Sequence, residues 1–185
     1  MLNPSRVQPL AVDNHGLVLS DELNGCDLIY TTPSHQCPST VTMPLERRYE
    51  LLQRANEHDF LIIEDDYESE TNFKANPIPA LKSLDKNDRV LYVGSLSKTL
   101  APGLRVGYLV GPEALIREAR ALRRLMVRHP AANNQRSVAL FLERGYHDAL
   151  IMSLMRAYEE RHQQMGDALH EYLPESSQEP SFGGS

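Results

Sequence analysis

Lys98 lies in a short polar loop between two apolar stretches, within the segment YVGSLSKTLAPGLRVGYLV that covers residues 92–110. A lysine amine has an ordinary pKa near ~10.4 and is a poor nucleophile at neutral pH. Partial burial and a neighbouring cation lower that pKa, which allows the amine to form a Schiff base. Arg105 is such a cation, and an arginine beside serine hydroxyls also suits a phosphate group. The pattern therefore predicts covalent chemistry at Lys98, with a plain ion pair as the alternative.

A second polar group follows the apolar run FLIIE at residues 60–64. Asp65 and Tyr67 stand two residues apart, so alternation along an extended chain directs both side chains the same way. Such a carboxylate keeps the ring nitrogen of pyridoxal phosphate protonated, and a phenol bonds the phenolic oxygen of the ring. Together with Ser95, Ser97, Lys98 and Arg105, this pair predicts a site for pyridoxal 5′-phosphate.

Four predicted strands and four predicted helices must position these residues. The strands, which are rich in apolar and β-branched residues, cover residues 26–32, 60–64, 89–94 and 104–110. The helices cover residues 44–57, 113–126, 133–143 and 147–172. Pro44 suits the first helical position, and Leu45, Tyr49, Leu52 and Ala55 fall near one face of that helix. Residues 4–12 are predicted to be extended, VDNHGL to be a turn, and residues 65–88 and 174–185 to be irregular.

The order of these elements indicates an α/β fold, a three-layer α/β/α sandwich with a mostly parallel sheet. Only about ten residues separate the strands at 89–94 and 104–110, too few for a parallel crossover, so the two are predicted to be antiparallel. Ser95, Lys98 and Arg105 then converge on one edge of the sheet. Asp65 and Tyr67 belong to the same edge, because ligands bind outside the carboxyl ends of strands in open α/β sheets.

The composition limits the class of protein. The chain has 185 residues, of which 41% are hydrophobic and 24% charged, as in ordinary globular domains. A net charge of −6 argues against a large nucleic-acid face. The apolar runs are shorter than a membrane span, and MLNPSRVQPL lacks the apolar region of a signal peptide. Cys26 and Cys37 form no CxxC motif, and the sequence therefore predicts a cytoplasmic location.

Two motifs, IIEDDYESE and SLSKTLAPGLRVGY, place Lys98 33 residues after Asp65 and resemble fold-type I pyridoxal-phosphate enzymes. More narrowly, they are similar to the aminotransferase-like domain of MocR-type regulators in the GntR superfamily. The segments YTTPSHQCPSTVTMPLERRYELL and MRAYEERHQQMGDAL resemble a loop with its helix and the long interlobe helix of the same group. The resemblance implies that residues 1–145 are part of the cofactor-binding large domain. Residues 146–185 would be the interlobe helix and the start of a small domain.

The resemblance also implies roles for single residues. Lys98 would form the Schiff base with the cofactor. Asp65 would pair with the pyridine nitrogen, and Tyr67 would contact the phenolic oxygen. The residues around the phosphate would be Ser95 and Arg105, with Ser97 chiefly shaping the loop.

The sequence departs from the aminotransferase pattern in the loop after the first long strand. Cys37 stands where aminotransferases usually have the asparagine of an NPTG loop, which contacts the phenolic oxygen of the cofactor. That contact is therefore absent or supplied by another side chain, with His35 and Gln36 as the alternatives. Glu64 and Asp66 match the family motif without an assigned role and are interpreted as loop or surface acids.

The family context implies an effector-sensing, pyridoxal-phosphate-binding domain of a transcriptional regulator. Such a protein would sense a small amine or amino acid, form a homodimer, and bind DNA through an N-terminal winged helix-turn-helix domain outside these residues. The SHQxP loop favours this hypothesis over a genuine aminotransferase of amino acids, which is the alternative. Enzymatic activity therefore stays open, and a folded slice of the family domain without activity of its own is compatible with both hypotheses.

Other chemistries fit the sequence less well. Ser95 to Lys98 matches the S-x-x-K motif of penicillin-binding proteins, but the partner motifs K-T-G and S-D-N are missing. The same loop lacks the glycine that precedes the lysine of a P-loop. The seven histidines are scattered and show no HxxxH pattern, so no metal site is predicted.

Overall fold

Six strands form two sheets in the computed structural model, which describes residues 6–67 and 78–173. A short hairpin pairs β1 Val12–Asp13 with β2 Gly16–Leu17. The main sheet contains, in spatial order, β3 Leu28–Thr31, β4 Leu61–Asp66, β5 Val90–Ser95 and β6 Gly107–Val110. β3, β4 and β5 are parallel, whereas β6 is antiparallel to β5, which confirms the predicted return.

The four predicted helices are confirmed, with bounds that differ by one residue. They are α1 Leu45–Glu57, α3 Glu113–Val127, α4 Ala132–Glu143 and α5 Tyr146–Tyr172. A one-turn helix, α2 Leu81–Leu84, and 3₁₀ turns at Asp21–Gly25 and Pro102–Leu104 complete the described part of the chain. α5 has 27 residues and so spans about 40 Å. In the residues described here, no helix combines the length and the apolar character that crossing a membrane requires.

Three of the irregular or extended segments predicted from the sequence fall partly or wholly outside the described residues. These are residues 4 and 5 of the extended entry, residues 68–77 of the stretch after β4, and residues 174–185. The turn predicted at VDNHGL is confirmed as the connection of the β1–β2 hairpin.

The core lies between α1 and one face of the main sheet. Ile29, Ile62 and Val90 occupy matched positions on β3, β4 and β5, and all three are buried. Leu51 and Ala55 of α1 pack in the same cluster. The alternation of side chains along each strand therefore assigns one face to the core, while Leu28 and Tyr30 on the other face of β3 remain exposed.

The buried stripe of α1 is rotated relative to the predicted one. Leu52 and Ala55 are buried as expected, but Tyr49 is 54% exposed. The buried residue in that turn is Arg48. A charged residue was not a candidate for the core, because an arginine is almost never fully buried unless it is paired. The pairing partner of Arg48 explains the difference.

Glu64 is that partner, and its interpretation as a loop or surface acid is wrong. The Arg48 Nη1 and Glu64 Oε1 atoms lie 3.8 Å apart, and both side chains are fully buried. Glu64 also accepts hydrogen bonds of 2.8 Å from the backbone N–H groups of Leu81 and Lys82 at the start of α2. Burial raises the pKa of Glu64, while these backbone donors and the Arg48 charge oppose that shift.

Asp66 is also buried rather than exposed, which corrects the second surface assignment. It lies on the core side of β4, where the Tyr92 hydroxyl donates a 3.1 Å hydrogen bond to its Oδ2 atom. The strand continues two residues further than the apolar run FLIIE, because Asp65 and Asp66 still pair with Val93 and Gly94 of β5. The hydrophobic pattern alone therefore placed the end of β4 too early.

Candidate functional site

β4 brings two of the predicted site residues to the carboxyl edge of the sheet. Asp65 belongs to the strand itself, not to the loop after it, and Tyr67 follows the last strand residue directly. Alternation places Asp65 on the face opposite to the buried Glu64. Asp65 pairs with Val93 in the parallel ladder, so the ends of β4 and β5 lie side by side.

Tyr67 contacts the lysine from one side and the loop after β3 from the other. The Lys98 Nζ atom lies 4.7 Å from the centroid of the Tyr67 ring, within the range of a cation–π interaction. The Tyr67 hydroxyl donates a 3.0 Å hydrogen bond to the backbone carbonyl of His35. The imidazole ring of His35 and the Tyr67 ring meet edge to face, with centroids 6.0 Å apart. Tyr67 therefore joins the loops that follow β3 and β5.

The β5–β6 connection positions the other three predicted residues. Ser95 ends β5 opposite Gly107, and its Oγ atom accepts a 3.3 Å hydrogen bond from the backbone N–H of Ser97. Arg105 is exposed and adopts a left-handed backbone conformation, with φ 50° and ψ 45°. The structure thus brings Lys98 and Tyr67 into contact and places Ser95 at the neighbouring strand end. Arg105 lies at the exposed return into β6.

Tyr30 belongs to the same edge, although the sequence pattern placed it only within a strand. Its hydroxyl donates a hydrogen bond to Asp65 Oδ2. This bond, followed by burial and the negative charge of Asp65, raises the pKa of Tyr30 to about 12. Tyr30 pairs with Ile63, so Asp65 lies two residues further along β4 on the same face. Only the register between the two strands shows this proximity, and the sequence does not fix that register.

The loop after β3 supplies a backbone oxygen to Tyr67. His35 is buried against the Tyr67 ring, and Gln36 Nε2 donates a 3.4 Å hydrogen bond to the backbone carbonyl of the exposed Cys37. A contact from His35 or Gln36 to a cofactor stays a prediction. Within residues 6–67 and 78–173, no group of three histidine, cysteine or acidic residues has an arrangement that would hold a metal ion.

The polar groups at this edge fit pyridoxal 5′-phosphate by chemical type. The amine of Lys98 suits the aldehyde, the Asp65 carboxylate suits the ring nitrogen, and the Tyr67 phenol suits the phenolic oxygen. Serine hydroxyls and an arginine suit the phosphate. Lys98 contacts Tyr67, and Tyr67 lies two residues after Asp65 in the chain. The amine, the phenol and the carboxylate therefore belong to the same edge of the sheet.

Comparison with known proteins identifies relatives of two kinds. The chain is 45% identical over 181 residues to the HTH-type transcriptional regulator TauR of Rhodobacter capsulatus, which covers 98% of this chain and 37% of TauR. It is 38% identical over 158 residues to the probable rhizopine catabolism regulatory protein MocR of Rhizobium meliloti, which covers 85% of this chain and 32% of MocR. The chain thus spans about a third of the length of these relatives.

Aminotransferases are among the solved structures that are similar to this chain. LysN, an α-aminoadipate aminotransferase from Thermus thermophilus complexed with N-(5′-phosphopyridoxyl)-L-leucine, superposes with a TM-score of 0.83 at 29% identity. The match covers 91% of this chain and 45% of LysN. These structures confirm the predicted fold class and indicate pyridoxal phosphate as the cofactor of the fold.

The match to a family extends over nearly the whole chain, including β3 to β6 and all the predicted site residues. Residues 19–181 match the family described as aminotransferase class I and II. The chain therefore belongs to the class I and II aminotransferase family, in the fold-type I architecture of pyridoxal-phosphate enzymes, and is similar to the aminotransferase-like part of MocR-type regulators.

Proposed function

We propose that this chain is the pyridoxal-phosphate-binding, effector-sensing domain of a MocR/GntR-type transcriptional regulator. The observation that carries the proposal is the position of Lys98 Nζ, 4.7 Å from the Tyr67 ring and at the strand edge that holds Asp65. The similarity to TauR, named as an HTH-type transcriptional regulator, and to MocR, named as a probable regulatory protein, supports the regulatory role. Bound pyridoxal phosphate would supply an aldehyde that captures amines and a ring that withdraws electrons.

Each residue of the site has a proposed task. Lys98 holds the cofactor covalently through a Schiff base. Asp65 would keep the ring nitrogen protonated. The Tyr67 hydroxyl, which donates to the His35 carbonyl in this structure, would donate to the phenolic oxygen instead. The phosphate is held by Ser95 and Arg105, with Ser97 fixing the loop through its backbone bond to Ser95.

The proposal extends to the domain organisation and the partners. Residues 1–145 form part of the cofactor-binding large domain, and residues 146–185 form the interlobe helix and the start of a small domain. The effector is a small amine or amino acid, and DNA is bound through a winged helix-turn-helix domain, as the HTH-type names of the relatives suggest. A homodimer and a cytoplasmic location complete the proposal, the latter supported by the free thiols Cys26 and Cys37.

An aminotransferase of amino acids is the second candidate function. The similarity in fold to LysN, an enzyme of that activity, favours it. The two functions differ in what an added amino acid does to the complete natural polypeptide that contains these residues. A sensor changes its affinity for DNA without multiple turnovers, whereas an enzyme releases a 2-oxo acid in amounts far above that of the protein.

Borohydride trapping tests the proposed site directly. Within these 185 residues the lysines are at 74, 82, 86 and 98, so peptide mass can separate a reduced pyridoxyl group on Lys98 from one on another lysine. We expect the complete polypeptide to turn yellow with pyridoxal phosphate and to carry the reduced group on Lys98. Lys98→Ala should lose this adduct, while Lys86→Ala, which removes an exposed lysine, should keep it. An adduct of equal yield in the Lys98→Ala protein would refute the assignment.

A further inference from the structure

Asp65, the proposed partner of the ring nitrogen, already accepts a hydrogen bond from Tyr30 at one of its two carboxylate oxygens. Tyr30 is on β3 and Asp65 on β4, and the hydroxyl donates to Oδ2 across the two strands. Both side chains lie on the sheet face opposite to the core, where Tyr30 is 62% exposed. The contact joins residues 35 positions apart in the chain, so it depends on the strand register rather than on local sequence.

A hydrogen bond from a phenol restricts the carboxylate in a way that an isolated Asp65 would lack. A carboxylate has two oxygens and accepts several hydrogen bonds, and its terminal torsion is broad. With Oδ2 held by Tyr30, rotation about that torsion is limited and Oδ1 keeps a defined position. A ring N–H is a strongly directional donor, so its bond to the carboxylate depends on such orientation.

Tyr30 can hold the Asp65 carboxylate in one orientation because its hydroxyl remains a hydrogen-bond donor at neutral pH. Its hydrogen bond to Asp65 raises the pKa of Tyr30 to about 12, so the hydroxyl keeps its proton at neutral pH. The other titratable groups that face it are Tyr67 and the Cys37 thiol. Loss of the proton would place two negative oxygens next to each other, which explains the direction of the shift.

We propose that Tyr30 is a positioning residue, which orients the Asp65 carboxylate so that its second oxygen is available to the ring N–H of pyridoxal phosphate. This inference rests on the proposed function, because it assigns Asp65 to the ring nitrogen. It adds a residue on β3 to a site whose other members follow β4 and β5. The Tyr30–Asp65 hydrogen bond is present in the protein without cofactor. Its existence and its effect on cofactor binding can therefore be tested separately.

The first experiment tests the pair without cofactor. Tyrosine is labelled with ¹³C at Cζ, the Tyr30 signal is assigned with Tyr30→Phe, and its chemical shift is followed as the pH rises. We expect Tyr30 to titrate near 12 and to move towards ~10, the ordinary tyrosine value, in Asp65→Ala. A Tyr30 that titrates near ~10 in the unmodified protein would overturn the inference.

The second experiment measures what the pair does for the cofactor, in the complete natural polypeptide. Tyr30→Phe removes one exposed hydroxyl, and we expect it to weaken binding of pyridoxal phosphate by about tenfold, as expected for a lost hydrogen bond to a charged group. With ¹⁵N-labelled cofactor, the ring nitrogen should lose its proton at a lower pH than in the unmodified protein. Tyr49→Phe should change neither quantity.

The direction of the ring-nitrogen shift separates positioning from a purely electronic effect. Removing a donor makes an unmoved carboxylate a stronger acceptor, so an electronic effect alone would hold the ring proton to higher pH. An unchanged or raised ring-nitrogen titration in Tyr30→Phe therefore overturns the inference. If borohydride traps no cofactor on Lys98 in the unmodified protein, the proposed function fails instead, whatever Tyr30 does.

Discussion

Arg105 has a backbone conformation that most residues avoid, at the point where the chain turns into β6. Its φ of 50° and ψ of 45° lie in the left-handed region, which costs an L-residue about 1–2 kcal/mol. Glycine adopts this region freely. A non-glycine residue in this conformation suggests that its side chain has a function that offsets the backbone cost. Here the guanidinium of Arg105 is the proposed phosphate ligand.

Arg105→Gly separates the backbone cost from the binding role. We expect the variant to be as stable as the unmodified protein or about 1 kcal/mol more stable, because glycine relieves the left-handed conformation. Its affinity for pyridoxal phosphate should fall at least tenfold, while its affinity for pyridoxal, which lacks the phosphate, should change little. Spectral titration with the two compounds measures this preference, and chemical denaturation measures the stability.

Arg128→Gly is the matched control for this prediction. Arg128 also has a positive φ, of 53°, but it follows the end of α3 rather than the β5–β6 loop. The control should keep the preference for pyridoxal phosphate over pyridoxal. An equal loss of preference in both variants, or none in Arg105→Gly, would contradict the role of Arg105 at the phosphate.

The buried Arg48–Glu64 pair connects elements that carry the site. Arg48 donates hydrogen bonds to the carbonyl groups of Pro33, Met43 and Pro79, at 2.9, 3.1 and 3.0 Å. Its guanidinium therefore fixes both ends of the loop that contains His35. Glu64, one residue before Asp65, holds the start of α2. The pair thus ties the loop after β3, the end of β4 and α2 together.

Arg48→Met should destabilise the fold by about 3–5 kcal/mol, because it leaves the Glu64 carboxylate buried without its cation. The adjacent Arg47→Met serves as control, since Arg47 is partly exposed and bonds Asp13 at 2.6 Å; its loss should cost about 1 kcal/mol or less. Urea denaturation of both variants gives the comparison. Similar losses in the two proteins would show that the buried pair has no special weight.

The pH dependence of this variant has a definite sign. Burial raises the pKa of Glu64 above its unfolded value, so the stabilising state of this group is the protonated one. Its contribution is fully present below the unfolded pKa and is lost as the pH rises through the folded pKa. In Arg48→Met, the charge that lowers the pKa of Glu64 is gone, so this pKa rises further and Glu64 binds a proton at a higher pH than in the unmodified protein. The deficit of Arg48→Met relative to the unmodified protein should therefore be largest at neutral pH and should shrink on acidification.

The sequence predicted whole elements better than their ends or their polar contacts. Strand β5 and helices α1, α3, α4 and α5 were placed within one residue, because apolar periodicity and breakers such as Pro44 and Gly145 determine them. The end of β4 was missed, because its last residues are acids that find partners inside the fold. Glu64 and Arg48 carry no mark of burial in a single sequence, since a charge is buried only where tertiary contacts satisfy it.

The site residues that follow strand ends could be predicted from the sequence. The residue whose contact depends on the register between two strands could not. Lys98 and Tyr67 were expected at one edge, and the structure confirms that they meet. Tyr30 was not expected, because the alternation of β3 shows its face but not its partner on β4. The antiparallel return of β6 followed from loop length alone, which is a geometric constraint that sequence does contain.

At the scale of the whole molecule, the site exists only when the two central strands of the main sheet are folded, so cofactor binding should raise the stability of the fold. Asp65 lies on β4, and Lys98 lies in the loop that follows β5; these are the two inner strands of the main sheet. Unfolding of either strand separates the amine from the carboxylate, so the complete site exists only in the folded state. A ligand that binds only the folded state stabilises it by about 2.7 kcal/mol at a concentration of 100 times its Kd.

We therefore expect pyridoxal phosphate at about 100 times its Kd to raise the melting temperature by roughly 5–11 °C, the shift that this free energy produces in a domain of this size. Pyridoxine 5′-phosphate, an alcohol in place of the aldehyde, should stabilise less at equal concentration, because it forms no bond to Lys98. In Lys98→Ala the two compounds should give equal shifts. A larger shift with the aldehyde in Lys98→Ala would mean that another amine, and not the one above Tyr67, captures the cofactor.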